Sequence, residues 1–176
     1  FHRDHRKIVV IDGKIGYTGG MNIADYYIKG LPEIGDWRDM HIRVEGTAVN
    51  YLQDIFLDMW NKCTQQEIGG NLYYPLRNDT AITYRSGKNV AIIDRYPRKD
   101  PKTMREVYAH AIENAENKVQ IINPYFTPVK RIKKAIKKAV KNGVKVEVMI
   151  PGKSDIGFTP DAALYIANQL RKKGVD

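Results

Sequence analysis

The sequence predicts an α/β fold with a mixed, largely parallel sheet flanked by helices. Two patterns carry that expectation. Past residue 88, short runs rich in β-branched residues alternate with stretches of helical period, as parallel strand–helix units require. Near the start, an Asp-Gly pair separates two extended apolar runs, a strong hairpin signal. The 176 residues, 43% hydrophobic and 28% charged, are enough to bury a core in one domain or two small ones.

In chain order, Lys7–Asp12 and Lys14–Thr18 read as paired strands turning at Asp12-Gly13. Gly19-Gly20 breaks the second strand, and Asn22 opens a short helix or turn. Met40, Ile42 and Val44 alternate with polar residues, which indicates a third strand. From Ala48 to Lys62 the spacing is helical, with Val49, Leu52, Ile55, Phe56, Met59 and Trp60 on one face. Residues 63–87 contain Gly69-Gly70, Pro75, Asn78-Asp79 and Ser86-Gly87 and read as a connector between two portions, 1–62 and 88–176. Strands are then expected at Val90–Ile93, Val119–Ile122 and Val144–Ile150. Helices are expected at Thr103–Asn117, Val129–Lys141 and Pro160–Lys173, with Gly174-Val175 leading into a further strand.

Charge is uneven. The net +9 divides into +1 over residues 1–100 and +8 over residues 101–176. A basic C-terminal portion favours an anionic partner: phosphate, nucleic acid or an acidic membrane surface. On Val129–Lys141, lysines surround an apolar stripe, which suits a solvated outer helix and also an electrostatic dock for anionic lipid. No apolar run approaches the ~20 residues of a membrane span. The single cysteine, Cys63, excludes an internal disulfide, and no Cys/His cluster has zinc spacing.

His5, Lys7 and Asp12 form an HxKxxxxD pattern, and Gly19-Gly20-Met21-Asn22 follows six residues later. On an extended strand His5 and Lys7 share a face. An imidazole beside an ammonium suits a phosphoryl group, since histidine can attack phosphorus or move a proton while lysine neutralises oxygens. Asp12 has the opposite parity and stands at the turn, so a structural role suits it at least as well. Gly20 permits close backbone approach, and the Asn22 amide can donate to phosphate. Asp39 reads as a strand-start residue that can pair with Arg38 or Arg43.

This pattern resembles the signature of the phospholipase D superfamily. HRKIVVIDGKIGYTGGMNIAD at residues 5–25, WRDMHIRVEG at 37–46, INPYFTP at 122–128 and IPGKSD at 150–155 resemble its bacterial cardiolipin synthase branch. The resemblance implies a phospholipase D-like fold of two repeats and phosphatidyl transfer through a phosphohistidine. Two phosphatidylglycerol molecules would give cardiolipin and glycerol, with no metal and no cofactor. His5 would be the nucleophile, Lys7 and Asn22 would hold phosphate oxygens, and Asp39 would orient an imidazole.

Only one HxKxxxxD occurs. Residues 1–62 are therefore expected to close a first repeat and residues 88–176 to open a second whose own motif lies outside the chain, leaving the chain alone with little activity. A homodimer would bring two copies of His5 together. The parent protein is expected at the bacterial cytoplasmic membrane, and the chain itself in solution. Nucleic acid is not expected as a partner, although a dimeric nuclease of the same superfamily and a non-catalytic piece that binds anionic membranes are the competing readings.

Overall fold

The computed structural model describes residues 4–77, 90–94 and 102–176. The chain divides into two compact units, Phe1–Asp94 and Arg95–Asp176.

The first unit is built on three antiparallel strands, β1 (Ile8–Ile11), β2 (Ile15–Gly19) and β3 (His41–Glu45), in the order β1-β2-β3. Asp12 and Gly13 both have positive φ, 52° and 62°, and the Lys14 amide donates to the Ile11 carbonyl at 3.0 Å. Asp-Gly tolerates two successive positive φ values well, and the pairing Ile11↔Ile15 leaves Asp12, Gly13 and Lys14 as the loop. The register places Val10, Gly16 and Val44 on one rung. Helix α2 (Val49–Thr64) covers that rung: a Cβ on Gly16 would stand 2.6 Å from Leu52 Cδ1. Strand alternation turns Val9 and Ile11 to the opposite face, where they stay 49% and 44% exposed.

The alternation of Met40, Ile42 and Val44 does mark a strand, β3, and of the three only Val44 is buried. The α2 stripe needs correction, because it is rotated. Val49, Leu52, Gln53 and Leu57 are buried, whereas Phe56 and Trp60 stack on each other at the surface with centroids 5.9 Å apart. Residues 65–77 pack back on the first unit. The Tyr74 hydroxyl donates to Asp54 Oδ1 at 2.5 Å, and Pro75 lies against Gly13. Residues 78–87 of the expected connector lie outside the described residues. The segment 90–94 forms no strand; its Asp94 instead accepts from Arg6 Nη1 at 2.8 Å.

The second unit runs α3 (Thr103–Glu113), β4 (Lys118–Ile122), α4 (Lys130–Lys141), β5 (Lys145–Met149) and α5 (Thr159–Arg171). Strands β4 and β5 are parallel and in register from Lys118↔Lys145 to Ile122↔Met149. Helix α3 ends short of the expected Asn117, because the Asn114 side chain and backbone both bond back to the His110 carbonyl. Ala135, Ile136 and Ala139 of α4 are fully buried with Ala109, Val146 and Leu170. Burying a side chain of the size of Ile136 contributes about 1.5–3 kcal/mol. The lysines of α4 cover its outer side, and Arg131 pairs with Glu106 and Glu113 of α3. On the free side of β5, the Asp176 amide donates to the Val146 carbonyl at 2.9 Å and its carbonyl accepts from the Val148 amide at 2.8 Å, a parallel bonding pattern. Among the described residues no helix is long and apolar enough to cross a membrane.

Candidate active site

Antiparallel pairing decides which motif residues can meet. The start of β1, the end of β2 and the start of β3 share one end of the sheet. His5 and Lys7 lie just before β1, Gly19 ends β2 with Gly20 and Asn22 after it, and Asp39 lies just before β3. All of them therefore gather at the same end. Asp12 is at the other, on the exposed hairpin turn, five residues beyond Lys7 and so about 17 Å away along an extended strand. It shapes the turn and cannot touch a group bound near His5.

Lys7 folds back so that its Nζ donates to the His5 carbonyl at 2.6 Å. Arg6 points elsewhere and grips Asp4, with Nη2 2.7 Å from Oδ2. That guanidinium holds the Asp4 carboxyl below the usual carboxylate range. The two glycines are explained by the approach of β3. A Cβ on Gly19 would meet the Met40 carbonyl oxygen at 2.3 Å and His41 Nδ1 at 2.8 Å; one on Gly20 would meet Asp39 Oδ1 at 2.0 Å. The Gly20 amide donates to the Met40 carbonyl at 2.9 Å, which extends the ladder one step past β2.

Asp39 Oδ1 accepts from the Met40 amide at 2.7 Å, while Oδ2 lies 3.5 Å from the Tyr27 hydroxyl. Tyr27 also meets the Gly20 carbonyl and Asn22 Nδ2, each at 3.3 Å. Burial pushes the Tyr27 hydroxyl up, partly offset by the Asn22 backbone amide, so it keeps its proton near neutral pH. Tyr27 follows Tyr26 at the start of α1 (Tyr26–Lys29), and Trp37 closes an aromatic trio with them, at centroid distances of 4.7 Å to 6.1 Å. Among the described residues no hydrogen bond joins His5 or Lys7 to Asn22 or Asp39, so the site comprises two neighbouring groups at one sheet end. Sequence reasoning missed Tyr27 and His41. The pair Tyr26-Tyr27, four and five residues after Asn22, with Trp37 two residues before Asp39, was the available signal. His41 Nδ1 is buried over Gly19 and has no partner among the described residues.

In the second unit the other two sequence blocks meet. Tyr125 follows β4, Asp155 follows β5, and the tyrosine hydroxyl donates to Asp155 Oδ1 at 2.7 Å. The Asp155 carboxylate, and burial after it, push Tyr125 up to about 12. Loops after the carboxyl ends of parallel strands are the usual ligand positions of α/β sheets. A cleft of about 470 Å³ opens beside them, lined by Tyr108, Ile112, Ile122, Tyr125, Phe126 and Ile132.

His-x-Lys and Gly-Gly-x-Asn thus stand at one end of an antiparallel three-stranded sheet, in a chain that also holds a parallel strand–helix unit. Residues 108–176 match the family described as "Cardiolipin synthase, PLD-like domain". Residues 108–176 thus carry a PLD-like domain, and nearly the whole chain is similar to proteins named cardiolipin synthases. It is 38% identical over 175 residues to "Cardiolipin synthase 2" of Staphylococcus epidermidis, covering 99% of this chain and 35% of that protein. It is 34% identical over 173 residues to "Major cardiolipin synthase ClsA" of Bacillus subtilis, covering 98% and 35%, and 34% identical over 172 residues to "Minor cardiolipin synthase ClsB" of the same organism, covering 98% and 40%. The chain thus spans about a third of the length of these relatives. No solved structure is significantly similar to it.

Proposed function

We propose that the chain supplies the nucleophilic half of a phosphatidyltransferase of the cardiolipin synthase type, working on phosphatidylglycerol at a membrane surface. The observation that carries this reading is the gathering of His5, Lys7, Gly20, Asn22 and Asp39 at one end of one sheet. Similarity over nearly the whole chain to proteins named cardiolipin synthases supports the choice of lipid. The two units then correspond to the end of one phospholipase D-like repeat and the beginning of the next.

In this reading a ring nitrogen of His5 attacks the phosphorus of phosphatidylglycerol. A P–N bond forms as the bond to the headgroup glycerol oxygen breaks, and that oxygen leaves with a proton from a second histidine, supplied by a second motif of the same kind. A hydroxyl of another phosphatidylglycerol then gives its proton to that histidine and attacks the same phosphorus. The P–N bond breaks, and cardiolipin and glycerol are the products. Lys7 and an N–H of Asn22 offset the charge that grows on the non-bridging oxygens, the kind of stabilisation that dominates phosphoryl transfer. Asp39 fixes the tautomer of an imidazole and stabilises its charged form.

Trapping tests the nucleophile. The chain is incubated at length with labelled phosphatidylglycerol, water serving more slowly than the second histidine as the source of the leaving oxygen's proton, then quenched in alkali and mapped by mass spectrometry. The label is expected on His5 and is expected to vanish in His5→Ala. Label on another histidine, or label that survives His5→Ala, would sink the assignment.

A further inference from the structure

The Tyr27 hydroxyl lies among three groups of the site: the Gly20 carbonyl oxygen and Asn22 Nδ2, each at 3.3 Å, and Asp39 Oδ2 at 3.5 Å. A phenol has one proton to give and an oxygen that accepts. The Gly20 carbonyl and the Asp39 carboxylate can only accept, so the proton points to one of them. The Tyr27 oxygen is left as an acceptor, and the Asn22 side chain can satisfy it only with its NH₂ end. That choice removes the usual two-fold ambiguity of an amide side chain. One N–H of Asn22 is held by Tyr27; the second meets only the more distant Tyr26 hydroxyl, at 3.5 Å, and on an exposed residue it can turn to a phosphate oxygen.

We propose that Tyr27 is a positioning residue of the site, which turns the Asn22 amide so that an N–H rather than its carbonyl oxygen faces the phosphate oxygens of the substrate. The proposal rests on the phosphoryl-transfer reading above. Opposed the other way, the amide oxygen would face an anion and repel it. The aromatic trio makes the arrangement firm. Tyr26 and Tyr27 come from the segment after Gly-Gly-Met-Asn and Trp37 from the segment before Asp39, so their packing joins the two stretches of chain that deliver Asn22 and Asp39. Tyr26 offers a more distant hydroxyl, 3.5 Å from Asn22 Nδ2, and interacts with the Tyr27 hydroxyl rather than with Gly20 or Asp39.

Nuclear magnetic resonance of the ¹⁵N-labelled chain tests this without turnover. Inorganic phosphate is titrated while the side-chain NH₂ resonances of Asn22 are followed. In the wild type one of the two protons is expected to move saturably. Tyr27→Phe keeps the ring and its packing, so the melting temperature should stay within about 2 °C, while phosphate affinity falls about tenfold. Tyr26→Phe should leave affinity unchanged. With affinity read at the His5 ring, Tyr27→Phe should cost nothing further in an Asn22→Ala background, because Tyr27 acts through Asn22. Unchanged affinity in Tyr27→Phe, an equal loss with and without Asn22, or Asn22 resonances that phosphate leaves unmoved in the wild type would each overturn the proposal. None of these bears on label trapped at His5, so the two readings fail separately.

Discussion

At Gly20 a side chain and a carboxylate compete for one space. Asp39 Oδ1 would lie 2.0 Å from a Cβ there, closer than any carbon tolerates. Gly20→Ala must therefore expel the Asp39 carboxylate from its place beside the Met40 amide. Phosphohistidine formation is expected to fall on the order of ten- to a hundredfold, as displacements near 1 Å do at reacting centres. The same trapping assay, run beside a thermal melt that shifts by only a few degrees, checks this. Residue type and spacing make His5, Lys7, Gly20, Asn22 and Asp39 candidates in the sequence, and the strand register gathers them at one sheet end. Tyr27 was not, since its role depends on where a side-chain hydroxyl ends after α1 folds, and no spacing rule reports that. The place of Asp12 was half legible: its parity and the glycine after it announced a turn, and the positive φ shows it.

At the scale of elements, the β4–β5 pair is held by charge as well as by its ladder. Glu147 receives Lys118 Nζ at 2.9 Å, Lys145 Nζ at 2.7 Å and Gln120 Nε2 at 2.8 Å, and Lys118 first among these partners holds its carboxyl down to about 2. Because the folded value lies below the ordinary one, the contribution is complete above the unfolded range and is lost as pH falls from about 4.5 towards about 2. Glu106 and Glu113, both lowered by Arg131, act in the same direction. The melting-temperature gap between wild type and Glu147→Gln should be present at pH 7 and close by pH ~2.5, which melts across that range would read. Period and alternation identified β1 to β5, α4 and α5, because each buries a face within its own unit. At α2 they find the helix but misplace part of its buried face, where Leu57 takes the core position expected of Phe56, and at Val90–Ile93 they predict a strand that has no ladder partner among the described residues. Such failures arise when tertiary neighbours, rather than local pattern, choose the buried face.

Across the whole molecule the charge is lopsided, with +8 of the net +9 in residues 101–176. Among the described residues no carboxylate pairs with Lys130, Lys134, Lys137 or Lys141, which lie opposite the buried side of α4. The chain should sediment with vesicles that contain phosphatidylglycerol, less with neutral vesicles, and less again as salt rises. Changing Lys134, Lys137 and Lys141 to alanine should weaken that binding by about 3 kcal/mol at roughly 1 kcal/mol per basic residue. Binding that ignores those substitutions would move the contact to another surface.

The hairpin also explains why the spacing inside HxKxxxxD is rigid. Lys7 and Asp12 stand at opposite ends of one short strand whose length the turn fixes, so the five steps between them act as a ruler. One added residue would carry the turn forward and slip the ladder by a single step. The imidazole and the ammonium would then swing to the side that α2 occupies, with every chemical group still present in the sequence and none of them facing a substrate. The motif is in that sense a measurement of distance, and its aspartate marks the end of the scale.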